Sequence, residues 1–156
     1  AINDNSKNEW YTKPIREGRA VLLPPYFSSD ENNKVVHTTI AIPIKHDGKI
    51  IGALNADMDV SFAQSRLSSF PDTSKDSFKV LYADNGAVIA NGADETTIMK
   101  NVLEYIPHIK PHFEAVAKGE ESNEIIVSQT TGKSSQFIFV PVTMGVTMNI
   151  FTYCSL

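Results

Sequence analysis

Apolar and polar positions alternate most clearly between Val35 and Ile44. Val36, Thr38, Ile40, Ile42 and Ile44 fall on one side of an extended chain, and Val35, His37, Thr39, Ala41 and Pro43 on the other. A period of two with two unlike faces predicts a long strand. His46-Asp47-Gly48-Lys49 supplies a tight turn, so the run from Ile50 to Val60 is expected to return as the second strand of a hairpin. Upstream, Trp10 to Gly18 predicts a short helix or turn closed by glycine, and Ala20 to Leu23 one short strand stopped by Pro24-Pro25. Phe62 to Phe70 predicts a short helix.

A second unit follows a polar, turn-rich stretch at 71–77, read as a linker. Phe78 to Ala83 runs into Asp84-Asn85-Gly86 and returns as Ala87 to Ala90, the strongest hairpin signal in the chain. Residues 95–118 have helical character interrupted by Pro107 and Pro111, which predicts two short helices. Glu124 to Ser128, Gln136 to Val142 and Met148 to Cys154 read as three further strands. The predicted class is α+β: an antiparallel PAS-like sheet with flanking helices, since a sheet must bury its apolar face under other elements. On that template the first unit has the helix and the last three strands but lacks the opening two.

Composition narrows the chemistry. With 14 Lys and Arg against 18 Asp and Glu among 156 residues, the net charge of -4 and the scattered Lys7, Lys13, Arg16 and Arg19 disfavour nucleic acid as a partner. A single cysteine, Cys154, excludes an intrachain disulfide and a multi-cysteine metal site. No apolar run approaches the ~20 residues that span a bilayer, and the strand-like ending at Tyr153 to Leu156 reads as part of a longer protein. His108 and His112 are four apart, but Pro111 interrupts their helix and no third ligand is evident, so no metal is expected. No nucleophile elbow or phosphate loop occurs, and the expectation is a protein that is not an enzyme and carries no cofactor.

Trp10-Tyr11, Pro25-Tyr26, Thr38 to Pro43, Gly48 to Gly52 and Asp57 follow one another in an order that resembles the membrane-distal module of double Cache (dCACHE) sensor domains. Asp84-Asn85-Gly86 and Phe139 to Val142 resemble the membrane-proximal module. The family is typical of bacterial methyl-accepting chemotaxis proteins and also occurs in histidine kinases and diguanylate cyclases. The resemblance implies a distal module at 1–70, truncated at its N-terminus and missing the long helix that ties both modules together, and a proximal module at 78–156. A sheet so truncated is expected to be less stable or to be completed by another chain.

The resemblance further implies an extracytoplasmic sensor anchored in the inner membrane by its parent protein. That sensor is expected to be dimeric in the full receptor and to bind a small amine or amino acid. Asp57 would anchor the ammonium group, with Trp10, Tyr11 and Tyr26 as aromatic walls, because ring faces attract cations and an enclosed carboxylate neutralises them. Amino-acid binders carry an arginine where this chain has Asn8 and often an aspartate where it has Ser28, which removes a carboxylate grip and one negative charge. Without that context Trp10 and Tyr11 also fit helix-on-sheet packing, and Asp57 a strand-end turn contact. Two alternatives stay open: a PAS-like module that dimerises or docks a periplasmic binding protein, and the sensor of a kinase or cyclase.

Overall fold

The computed structural model describes residues 7–28, 35–69, 77–127, 132–143 and 147–155. It has two antiparallel sheets. The first is built around β3 (Val36–His46), which pairs with β4 (Lys49–Asp59) on one side and with the two-residue strands β1 (Val21–Leu22) and β2 (Tyr26–Phe27) on the other. The β3–β4 turn is made by Asp47 and Gly48, both at positive φ (48° and 74°), the geometry that matches the twist of a two-residue hairpin. A bulge at Ile44/Lys45 then shifts the register by one residue, so that Thr39 faces Asp57.

Helix α1 (Glu9–Glu17) lies against β3 and β4 and ends, as expected, at Gly18, whose left-handed backbone (φ 67°) lets its N–H reach the Pro14 carbonyl at 2.9 Å. Helix α2 (Val60–Ser69) follows β4 directly. The expected single strand at Ala20 to Leu23 is only part of the picture. The prolines interrupt the ladder, and the chain rejoins β3 at Tyr26 and Phe27, so Tyr26 is a strand residue opposite His37.

The second sheet has the order β6-β5-β9-β8-β7, with β5 Ser77–Tyr82, β6 Val88–Asn91, β7 Ser122–Val127, β8 Ser134–Thr143 and β9 Thr147–Ser155. This is the expected antiparallel five-stranded arrangement, with Cys154 in its last strand. Residues 71–76 of the expected linker lie outside the described residues, and Ser77 already belongs to β5. The stretch at 95–118 is more broken than two helices: a 3-10 turn at Glu95–Thr97, α3 at Val102–Tyr105, a second turn at Pro107–Ile109, and α4 at Lys110–Ala117. Pro107 and Pro111 each open a new segment, where the missing N–H costs nothing.

One face of the second sheet is covered by α4, with Ile109, Phe113 and Val116 against Val80, Tyr82, Val88 and Phe139. Burial there pushes the Tyr82 phenol up, so it stays neutral. The opposite face joins the two sheets: Leu81, Ala83 and Ile89 meet Val60, Ala63 and Leu67 of α2 and Leu22 of β1. Gln64 completes this junction by accepting from the Asn91 N–H (2.8 Å) and donating to the Asn91 carbonyl (2.7 Å).

Candidate functional site

The face of the first sheet that carries the odd-numbered residues of β3 gathers most of the polar and aromatic groups singled out from sequence. Register places Tyr26 and Asp59 beside His37, and Asp57 beside Thr39. Thr39 is the hub. Its hydroxyl donates to Asp57 Oδ1 at 2.6 Å, and with that proton committed the Tyr26 hydroxyl is the donor in the 3.1 Å contact with Thr39 Oγ1. The result is a directional chain from Tyr26 through Thr39 to Asp57. The His37 ring meets Tyr26 edge-on at 6.3 Å.

Burial raises the Tyr26 phenol above its ordinary value; the Thr39 hydrogen bond opposes this, and the Asp57 carboxylate adds to the rise. Tyr26 therefore remains a neutral donor, and the negative charge of the face belongs to the carboxylates. Asp57 is exposed, open to a ligand. Asp59, on the same face, is turned toward α2, where it accepts from the Ser61 N–H at 2.7 Å.

Trp10 packs on Val21, Leu23 and Ala41, and Ala41 lies two residues from Thr39 on the same face. Tyr11 stands edge-on to Trp10 at 5.7 Å. Both the packing role and the wall role are thus compatible for Trp10, which is half-buried. Asn8 is the N-cap residue of α1; its carbonyl accepts from the Tyr11 and Thr12 N–H groups (3.0 and 2.9 Å) and from Thr12 Oγ1 (3.0 Å). Ser28 extends the β2–β3 pairing through its N–H to the Val35 carbonyl at 2.9 Å. The structure brings Tyr26 and Asp57 together through Thr39, seats Trp10 along the same face, and places Asn8 and Ser28 at backbone junctions.

All three arginines are engaged away from this face. Arg16 and Arg19 pair with Glu17 (3.8 and 2.6 Å), Arg19 also reaches Asp84 (3.8 Å), and Arg66 lies over the Phe62 ring (5.4 Å). A small cleft lined by Leu67, Ser68, Phe78, Lys79 and Gly92 lies at the junction of α2 with the second sheet, and Asp57 is not among its lining residues.

Thr39 was not singled out from sequence, since only the bulge brings it opposite Asp57. Nor was the partner of the paired histidines, which is Glu124 on β7. His112 contacts Glu124 Oε2 through Nε2 at 2.9 Å and Ser122 Oγ through Nδ1 at 2.7 Å, and stacks on Phe139 at 4.4 Å. His108 stands 4.0 Å from the same carboxylate. Among the described residues no cluster of three His, Cys, Asp or Glu side chains has metal-holding geometry, and this group fastens α4 to the sheet.

Residues 2–65 match the family model described as the first PDC sensor domain of methyl-accepting chemotaxis protein-like proteins. The methyl-accepting chemotaxis protein TlpQ of Pseudomonas aeruginosa is 38% identical over 58 residues, 37% of this chain and 8% of that protein. Among solved structures, the extracellular domain assigned to the histidine kinase mmHK1S-Z2 aligns over 99% of this chain and 57% of its own, with 17% identity and a TM-score of 0.73. The ligand-binding domain of the Pseudomonas aeruginosa amino acid chemoreceptor PctB, in complex with L-Gln, aligns over 99% of this chain and 59% of its own (18% identity, TM-score 0.63). The ligand-binding domain of Mlp24 with asparagine does so over 99% and 58% (18% identity, TM-score 0.62). The chain thus spans little more than half the length of these domains and a small part of the curated relative. The resemblance read from Trp10-Tyr11 to Asp57 holds: the chain has the PAS-like fold of PDC, or Cache, sensor domains, and residues 2–65 are similar to the first sensor domain of chemoreceptor-like proteins.

Proposed function

We propose that this chain is a ligand-sensing region of a membrane-anchored chemotaxis receptor, exposed outside the cytoplasm. Residues 1–70 form a distal module that binds a small amine or amino acid, and residues 78–156 form a proximal module that relays the change. The observation that carries this reading is the Tyr26–Thr39–Asp57 chain. It orients an exposed carboxylate on a face bordered by Trp10, suited to an ammonium group.

The arginines engaged elsewhere favour a ligand whose carboxylate, if it has one, is met by neutral donors such as Asn8. The solved relatives in complex with L-Gln and asparagine support a small polar amine as the ligand class. Signalling needs a ligand that binds two conformations unequally, and the shared core between α2, β1 and the second sheet gives such a difference a path. A binding role does not call for a catalytic group.

Thermal melting with a panel of amines, amino acids and simple carboxylates tests this. A binder present at a hundred times its Kd stabilises the native state by about 2.7 kcal/mol. Melting raised by amines or amino acids and unmoved by lactate or pyruvate is expected. The reverse pattern would overturn the reading.

A further inference from the structure

Helix α1 touches both halves of the molecule. At its start Trp10 packs on the ligand face; one turn on, Lys13 leaves that face and reaches Asp84, in the loop between β5 and β6. The Lys13 ammonium lies 3.1 Å from Asp84 Oδ1 and 3.0 Å from Oδ2, with side chains only 12% and 25% exposed. After Gly18 turns the chain back, Arg19 approaches the same carboxylate at 3.8 Å while held by Glu17 at 2.6 Å. One aspartate therefore receives two cations, one from α1 and one from the residue that follows its glycine cap.

Asp84 is also firmly mounted. Gly86 donates to the Ala83 carbonyl (2.9 Å), Ala83 to the Ala87 carbonyl (2.8 Å), and Ala87 to Asn85 Oδ1 (3.1 Å). Asn101 donates to the Asn85 carbonyl at 3.0 Å. Gly86 sits at φ 89°, and a Cβ there would come within 2.7 Å of Asn101 Oδ1 and 2.8 Å of Leu103. The loop is pinned at both ends and against its neighbour, so the carboxylate is a fixed point on the second sheet.

We propose that Asp84 is a positioning residue for α1. By holding Lys13 and Arg19 it fixes the seat of Trp10 on the ligand face and ties that face to the second sheet. Loss of the post leaves two partly sheltered cations without their common partner, and α1 then loses its tie to the second sheet while Trp10 keeps its packing on Val21, Leu23 and Ala41. Linkage makes the effect reciprocal: whatever ligand tightens the seat of α1 also tightens its grip on Asp84. Only that last step rests on the proposed ligand face.

Trp10 is the single tryptophan of the chain, so its fluorescence reports the seat directly and without ligand. Emission and acrylamide quenching are measured for wild type, Lys13→Met, Asp84→Asn and Lys13→Arg at a temperature where far-UV circular dichroism shows all four folded. Red-shifted emission and stronger quenching in Lys13→Met and Asp84→Asn, with wild-type behaviour in Lys13→Arg, are expected. Amine affinity should fall about fivefold in the same two variants, the scale of a partly sheltered ion pair. A lowered melting temperature with unchanged Trp10 emission and quenching would reduce the pair to a structural contact and overturn the proposal. If no ligand binds any of the four proteins, the fluorescence result still decides it.

Discussion

The hairpins β3–β4 and β8–β9 are the same device in two settings. In the second sheet β9 is bonded on both sides, to β8 and to β5. In the first, β4 is bonded to β3 and, among the described residues, to no other strand. The consequence shows on the side chains. Val36, Ile40 and Met58 reach the shared core, yet the same face runs on into Ile42, Ile44 and Leu54, which stay 37%, 42% and 58% exposed. Phe139 on β8 is fully buried between α4 and its own sheet. A strand's apolar pattern states which face can be buried; the neighbouring elements decide whether it is.

The edges differ in the same sense. The outer side of β6 is closed by Lys100, whose carbonyl accepts from the Val88 N–H at 2.8 Å, and by the paired bonds of Gln64 to Asn91. The edge of β4 carries Asp57 and Asp59 and a bulge near its start, features that discourage pairing with another chain. The open sheet holds the candidate site and the closed one holds the larger aromatic core.

Equal truncations in the two settings should have unequal costs. Ile89→Ala in the closed sheet, where the side chain is wholly buried, should cost about 2–5 kcal/mol. Ile44→Ala in the open one should cost less than about 1 kcal/mol. Urea denaturation of both variants measures the gap, and similar values would show that the two sheets are equally consolidated.

Gln64→Ala comes next. It strands the buried N–H and carbonyl of Asn91, at about 1–3 kcal/mol for such unsatisfied groups, and loosens α2 from β6. Hydrogen exchange should accelerate at Asn91 and leave β8 unchanged; acceleration spread evenly over both strands would deny Gln64 a local role.

The smallest effect is electrostatic and present in both regions. Hydrogen bonds from the Ser61 side chain and backbone hold Asp59 below the usual carboxylate range, and those from Thr96 do the same for Asp94. A depressed carboxylate contributes stability that is present above its ordinary value and lost as pH falls through the folded one. Urea midpoints should therefore decline below about pH 4, and the decline should be shallower in Asp59→Asn and Asp94→Asn. Identical slopes in all three proteins would remove these caps from the account.

Much of the architecture was legible in the sequence because it rests on local rules. Asp47-Gly48 and Asp84-Asn85-Gly86 announce turns, Gly18 ends a helix, and alternation from Val35 to Ile44 marks a strand. What stayed hidden depends on register and on distant partners. A two-residue turn at Asp47-Gly48 alone would set Thr38 opposite Asp57, and only the bulge substitutes Thr39. The pairing of Tyr26 with His37 stayed hidden because Pro24-Pro25 stops the strand read at Ala20 to Leu23 and masks the two-residue strand beyond them. Asp84 read as turn chemistry, and nothing local shows that Lys13, 71 positions earlier, closes on it.

On the proposed reading, Asp57 anchors a cationic ligand on the first sheet. Titration calorimetry with an amine and amino-acid panel on wild type, Asp57→Ala and Thr39→Val tests it most directly. Removing a charge-assisted partner should weaken binding roughly a hundredfold in Asp57→Ala, with a smaller loss in Thr39→Val, which keeps the carboxylate but not its orienting hydrogen bond. Equal affinity in wild type and Asp57→Ala, or a preference for simple carboxylates over amines, would contradict it.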